Sequence, residues 1–314
     1  MATFKIMITD GLAEKGKAYL REHAEVIDRS GISPEDLLKE VGEVDALIVR
    51  SRTKVNAAVF EAGKRLKVVG RAGIGVDNID LNAARAAGVT VVNSPLATTV
   101  SVAELAMGLM LALVREIPRA DASMKQGKWL KKEFEGHELY QKTLGIIGCG
   151  RIGSAVAERA QAFGMHVLAF DRFRPKDELC QCSEPVEELD DLLARSDFLS
   201  LHLPLTAETR NLLSHEQFAK MKDGVYLINA ARGGIVDEEA LLAALNSGKV
   251  AGAALDVFSV EPPSENNPLV MHPHVICTPH MGAQTHEAQA RAGYDIATEV
   301  VAALKGDPLR WKCA

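Results

Sequence analysis

At 314 residues the chain is longer than one hydrophobic core usually grows, which predicts two domains. Its 47% hydrophobic and 25% charged residues exclude a disordered or fibrous protein. A formal net charge of -6 argues against nucleic acid as a dominant partner, because phosphate-backbone binding needs clustered Lys and Arg that displace counterions.

Residues 1–10 read as a first strand, with no basic region ahead of an apolar core that would direct export. Apolar runs at 4–8, 46–49, 68–69 and 89–92 alternate with helical patterns, the rhythm of parallel α/β construction. A long helix is predicted from about Ser101 to Gly127, with Ser101 and Glu104 spaced as a capping box. Its apolar stretch 102–114 carries Glu104 and is too short to span a membrane. Runs at 143–147, 167–170, 198–203, 225–229, 252–256 and 275–278 continue as a second α/β unit, and the helical segment 285–305 reads as returning to the first domain. Cys149, Cys180, Cys182, Cys277 and Cys313 contain no Cys-x-x-Cys pair, so free thiols and a cytoplasmic location are expected. No metal is expected either: Cys180 and Cys182 are only two ligands, and His272 and His274 flank Pro273 with nothing to supply a third.

The run 144–147 leads directly into Gly148-Cys149-Gly150-Arg151-Ile152-Gly153 and then a helical pattern, the context that a dinucleotide-binding glycine loop requires. Gly148 permits the tight turn, Gly150 allows backbone to approach a pyrophosphate, and Gly153 lets helix and strand pack closely. The helix N-terminus adds N–H groups and positive dipole for the phosphates. About twenty residues on, Asp171 ends the next strand, where its carboxylate can accept from the ribose hydroxyls and repel a ribose phosphate. This favours NAD, although Arg172 and Arg174 are the kind of residues that accommodate NADP. Cys149 lies in the loop, and its modification is expected to obstruct the cofactor.

Three later segments offer the parts that hydride transfer from an alcohol needs: a base, a group that tunes it and a cation for the substrate carboxylate. They are Asn229-Ala230-Ala231-Arg232-Gly233-Gly234, then Leu255-Asp256-Val257-Phe258 leading to Glu261-Pro262, and Thr278-Pro279-His280-Met281-Gly282-Ala283. Each alone reads equally well as structure. A guanidinium can grip a carboxylate with two donors, and a carboxylate beside a histidine fixes its tautomer and favours its charged form.

Taken in order, these segments resemble the D-isomer-specific 2-hydroxyacid dehydrogenase family over nearly the whole chain. The resemblance implies α/β architecture in two domains: a Rossmann-type doubly wound sheet at 96–283, inserted in a smaller flavodoxin-like substrate domain of 1–95 and 284–314, with the active site in the cleft. It implies Arg232 as the carboxylate and carbonyl ligand, His280 as acid/base and Glu261 as its partner. NAD contacts are implied at Gly148, Gly150, Arg151, Ile152, Gly153 and Asp171, with Ile74 on the other domain. Around the nicotinamide they are implied at Ala230, Ala231, Arg232, Asp256, His280, Gly282 and Ala283.

The N-terminal half is most similar to the phosphoglycerate-oxidising branch of that family, through the segments 48–55 and 69–78. Arg50, Ser51 and Arg52, with Arg71, Gly73 and Gly75, are the substrate contacts this implies, and closely spaced cations suit a phosphorylated 2-hydroxy acid. The expected reaction is NAD-dependent oxidation of 3-phospho-D-glycerate to 3-phosphohydroxypyruvate, which opens phosphorylated serine biosynthesis. A homodimer through the long helix is implied, with Lys131 reaching the neighbouring subunit's site. Because the chain stops at Ala314, no serine-sensing C-terminal domain is expected. Glyoxylate, hydroxypyruvate or another D-2-hydroxyacid reduction is the alternative, and a dinucleotide-sensing corepressor is a rival from another class.

Overall fold

The computed structural model describes residues 4–314. Two compact units result, one made of the chain up to Thr99 with Ala283–Ala314, the other of Val100–Gly282.

In the first unit, strands β1 (Lys5–Ile8), β2 (Glu25–Asp28), β3 (Ala46–Val49), β4 (Val68–Arg71) and β5 (Thr90–Asn93) alternate with helices α1 (Glu14–His23), α2 (Pro34–Glu40), α3 (Ala57–Ala62) and α4 (Leu81–Ala86). All strand pairs are parallel, in the order β2-β1-β3-β4-β5 characteristic of flavodoxin-like sheets. Both faces are covered, so each strand feeds two cores in alternation. Met7, Leu47, Val69 and Val91 pack with Leu37, Phe60 and Ala84 on one face, whereas Ile6, Ile8, Ile48 and Val68 join Leu20 on the other. Strand β2 escapes the apolar reading because it is an edge strand whose end residues, Glu25 and Asp28, are exposed.

The second unit opens with α5 (Thr99–Val114) and α6 (Ile117–Lys125) and continues through β6 (Thr143–Ile147), α7 (Arg151–Ala162), β7 (His166–Phe170), β8 (Glu184–Pro185), α8 (Leu189–Arg195) and β9 (Phe198–Leu201). It ends with α9 (His215–Lys220), β10 (Val225–Asn229), α10 (Glu238–Asn246), β11 (Val250–Leu255) and β12 (Val275–Cys277). The order is β12-β11-β10-β9-β6-β7-β8, all parallel. From β6 the chain runs outward to β7 and β8, then returns to place β9 on the opposite side of β6. Ligands of open α/β sheets bind at such a reversal, beyond the carboxyl ends of the strands.

Helix α11 (His286–Lys305) completes the first unit, burying Ile296, Ala297, Val300 and Val301 in the core that contains Leu20 of α1. Thr285 caps its start by accepting from the Ala288 N–H, and left-handed Gly306 ends it.

Two expectations are corrected. The predicted 101–127 helix is two helices: Ser101 lies within the first turn of α5 and is buried, so it forms no capping box with Glu104. The break comes at Glu116, whose φ of 49° is left-handed, and Pro118 then enters the first turn of α6. Proline has no N–H to continue the α5 ladder and its ring crowds the preceding turn. The carbonyl of Val114 is taken instead by the N–H of His137. The second correction concerns thiols: Cys180 and Cys182 form a disulfide, while Cys149, Cys277 and Cys313 stay free. The turn between β7 and β8 brings their Cα atoms to 5.2 Å, a closure that spacing alone did not indicate.

Candidate active site

The carboxyl ends of β6, β7 and β9 surround a cavity of about 230 Å³, lined by Gly148, Gly150, Asp171, Arg172, His202 and Thr209 among others. Its floor is the glycine loop, where the three glycines have different causes. Gly148 has φ of 91°, and a Cβ there would lie 2.6 Å from the His202 carbonyl oxygen. At Gly153 a Cβ would meet the Gly148 carbonyl oxygen at 2.2 Å. Both are demanded by the fold itself. Gly150 is different, because a Cβ there would meet nothing within 4 Å. Open space ahead of the residue that starts α7 leaves room for a dinucleotide pyrophosphate beside the first N–H groups of α7, those of Arg151 and Ile152 among them.

Asp171 sits at the rim. One carboxylate oxygen accepts from the Cys149 N–H at 2.9 Å, and the other from the Phe173 and Arg174 N–H groups at 3.0 and 3.2 Å. The carboxylate is therefore held in one place, with acceptor capacity left for ribose hydroxyls. The Cys149 thiol is fully buried against Ala169 and Leu179. It points away from reagents, which removes the reason to expect cofactor blockade by thiol modification. His202 was missed by sequence reasoning. Its Nε2 lies 2.8 Å from the Ser200 hydroxyl, its Nδ1 is buried without a hydrogen-bond partner, and burial pushes its pKa down to about 4.

The candidate acid–base pair is assembled at the ends of β10, β11 and β12. His280 Nδ1 and Glu261 Oε2 are 2.7 Å apart. The other Glu261 oxygen accepts from the Phe258 N–H at 3.1 Å. Burial works against the Glu261 charge, but these hydrogen bonds and the charges of His280 and Arg232 outweigh it and hold the carboxyl below the usual glutamate value. An ionised carboxylate only accepts, so the shared proton belongs to His280 Nδ1 and Nε2 is left for chemistry. His280 itself has a φ of 49°, unfavourable for a side-chain-bearing residue.

Asp256 holds it there. Its carboxylate is 1% exposed and accepts from the Thr278 hydroxyl at 2.6 Å, the Met281 N–H at 2.8 Å and the Gly282 N–H at 2.9 Å. Arg232 is brought alongside by a close approach: a Cβ on Gly233 would lie 1.8 Å from the Phe258 carbonyl oxygen. Asn229 shapes the same turn, accepting from the Ala231 N–H and donating to the Arg232 carbonyl, which buries Ala230 and Ala231. One Arg232 Nη donates to the Ala231 carbonyl at 2.7 Å. Lys131 lies in a short 3-10 turn of this unit, exposed.

In the first unit the expected substrate contacts gather beyond β3 and β4, but they are not equivalent. Arg52 donates to the Thr9 and Ile32 carbonyls at 2.8 and 3.1 Å and pairs with Asp10 at 3.2 Å, so its guanidinium is committed to holding the loop. Arg50 is half-buried and donates to Gln284 Oε1 at 3.2 Å. Burial lowers its pKa against the opposing pull of Asp10. Asn78 ties the loop by donating to the Arg50 and Thr53 carbonyls, and Ser51 is exposed. Gly73 donates its N–H to Ser94 Oγ at 2.7 Å, and the Ile74 carbonyl accepts from Asn93. One Arg71 Nη donates to the Ala72 carbonyl, and Gly75 follows in the same loop, half-buried. Ala283 belongs to this unit and Gly282 to the other.

The sequence model described as "D-isomer specific 2-hydroxyacid dehydrogenase, NAD binding domain" matches residues 107–282, over half of the chain. The chain belongs to the D-isomer-specific 2-hydroxyacid dehydrogenase family. Within that family the glycine cradle and Asp171 lie in the NAD-binding domain, and NAD is the cofactor. A D-3-phosphoglycerate dehydrogenase of Archaeoglobus fulgidus is 50% identical over 98% of this chain, which spans 58% of that protein's length. A hydroxypyruvate reductase of Thermotoga maritima is 48% identical over 96% of this chain and 98% of its own. Among solved structures, a glyoxylate reductase from Paecilomyes thermophila superposes with a TM-score of 0.89 at 33% identity, covering 99% of this chain and 98% of that one.

Proposed function

We propose that this family member is an NAD-dependent dehydrogenase that oxidises 3-phospho-D-glycerate to 3-phosphohydroxypyruvate. The 2.7 Å Glu261–His280 pair carries the reaction class. The substrate follows from Arg50, a half-buried guanidinium that donates to the neutral amide oxygen of Gln284 and therefore favours an anion, together with the likeness to the Archaeoglobus enzyme. Bound NAD supplies the hydride acceptor. Arg232 holds the substrate carboxylate with its planar pair of donors. Unprotonated Nε2 of His280 takes the hydroxyl proton, and Glu261, receiving Nδ1–H, stabilises the imidazolium so formed. In the reverse direction the same nitrogen returns the proton to the ketone oxygen.

Reduction of hydroxypyruvate or glyoxylate is the second reading, favoured by 48% identity to the Thermotoga reductase over nearly its whole length. Steady-state rates across a panel of 2-hydroxy and 2-keto acids decide between them. Faster turnover of glyoxylate or hydroxypyruvate than of the phosphorylated pair overturns the first reading. We also read the enzyme as a cytoplasmic homodimer. Exposed Ile117, Met124, Trp129 and Tyr140 support the association, because burying such apolar surface stabilises a second copy. Three of the five thiols stay free, which supports the location, whereas the Cys180–Cys182 disulfide argues against it.

A further inference from the structure

The rim of the nucleotide cavity carries two signs of charge that give opposite instructions about the cofactor. Arg172 and Arg174 follow β7 directly, and both line the cavity. Among the described residues neither guanidinium makes a hydrogen bond or ion pair. Two such groups beside the adenosine ribose are what a 2′-phosphate needs. Asp171 opposes that, but it is one carboxylate against two guanidiniums.

A second carboxylate comes from the other wall. Glu208 lines the same cavity, in the turn that follows β9. Its position is fixed locally: the Thr206 hydroxyl donates to Glu208 Oε2 at 2.7 Å and accepts from the Glu208 and Thr209 N–H groups at 3.2 and 3.3 Å. The Thr209 hydroxyl in turn donates to the Pro204 carbonyl at 2.7 Å. The hydrogen bond from Thr206, then that from its own backbone N–H, and in smaller measure the charge of Arg172 hold the Glu208 carboxyl below its usual value, so it is ionised at neutral pH.

We propose that Glu208 is a second cofactor-specificity residue, which neutralises Arg172 across the cavity and bars the ribose 2′-phosphate of NADP. With Asp171 and Glu208 facing Arg172 and Arg174, the rim has no net charge to offer a phosphate group carrying roughly two negative charges. Losing Glu208 leaves one uncompensated guanidinium. The inference rests on the NAD-binding domain and is independent of which 2-hydroxy acid is the substrate.

The test is direct binding of NADH and NADPH to the full-length protein, followed by calorimetry, for the wild type, Glu208→Gln and Glu208→Gln combined with Arg172→Ala. Gln keeps an acceptor for the Thr206 hydroxyl, and thermal melting checks that each variant folds. Glu208→Gln is expected to bind NADPH about tenfold tighter, with NADH affinity changed less than about twofold and the gain fading at high salt. Adding Arg172→Ala is expected to abolish the gain. An unchanged NADPH affinity, an equal shift for both nucleotides, or a gain that survives Arg172→Ala overturns the proposal.

Discussion

Asp10 and Asp256 perform the same task in different sheets. Each follows the last residues of a strand, is withdrawn from solvent and grips the loop that carries a functional side chain. Asp256 accepts three neutral donors from 278–282 and so holds His280 in its left-handed conformation. Asp10 accepts from the Arg50 and Thr53 N–H groups and the Thr53 hydroxyl, but adds an ion pair with Arg52. The difference explains why two arginines close in sequence diverge in role. One is needed as a counter-charge to the buried anchor, and only Arg50 is left to face an external anion. A buried carboxylate surrounded by N–H groups is stable without a cation, since hydrogen bonds to the charged form replace its hydration.

The sharpest way to break this comparison is to remove both anchors. Asp256→Ala is expected to lower kcat by about 10²-fold or more, because a general acid/base out of position forfeits that factor. Asp10→Ala is expected to raise KM for 3-phosphoglycerate with kcat largely kept, and steady-state kinetics reads both. Matching losses in the two parameters would mean that the anchors do not act on separate loops.

His202 extends the comparison to a buried group that stays neutral. Its folded pKa of about 4 lies below the ordinary histidine value of 6.5, so the unfolded chain takes up this proton first as pH falls. Stability is therefore lost between those two values, by up to about 3 kcal/mol from this group alone. Urea titrations at pH 7 and pH 4 should show a smaller acid-induced loss in His202→Asn; an identical loss refutes the assignment.

Smaller effects separate the two arginines. Arg52→Ala should cost about 1–3 kcal/mol of stability, since it leaves the Asp10 anchor without its cation and the Thr9 and Ile32 carbonyls without a donor. Arg50→Ala should leave the melting temperature near that of the wild type and weaken the phosphorylated substrate about tenfold or more. Reversed outcomes would exchange their roles. Least in size is the contribution of Glu261: with its pKa lowered, its stabilisation is present above the ordinary glutamate value of 4.5 and is lost as pH falls through the folded value. The stability gap between the wild type and Glu261→Gln should therefore narrow below that pH, as chemical denaturation can follow.

Much of the fold was legible because both sheets are parallel and covered on both faces, so their strands appear as short apolar runs. The edge strands β2 and β8 were not, since a partly exposed edge leaves little apolar signal. The break at Glu116 was overlooked although Pro118 announces it. At the site, the candidate residues at 148–153 and 171 stood out through spacing and neighbouring strands, whereas 232, 261 and 280 stood out only through the family resemblance. Arg50 and Arg52 looked alike, because nothing local distinguishes a cation that holds a carbonyl from one that awaits a ligand.

The sequence by itself determined the parallel α/β class, the glycine loop with its strand and helix, and the candidate acid, base and cation, since these depend on local periodicity and residue chemistry. Only the tertiary structure decided which groups meet. The return of the chain from β8 to β9 placed His202 and Glu208 opposite Asp171 and Arg172, the segment ahead of α11 brought Gln284 to Arg50, and the loop after β12 folded His280 over Asp256. Those encounters follow from packing both faces of each sheet, a constraint that acts across the whole unit and leaves no mark in any short stretch of residues.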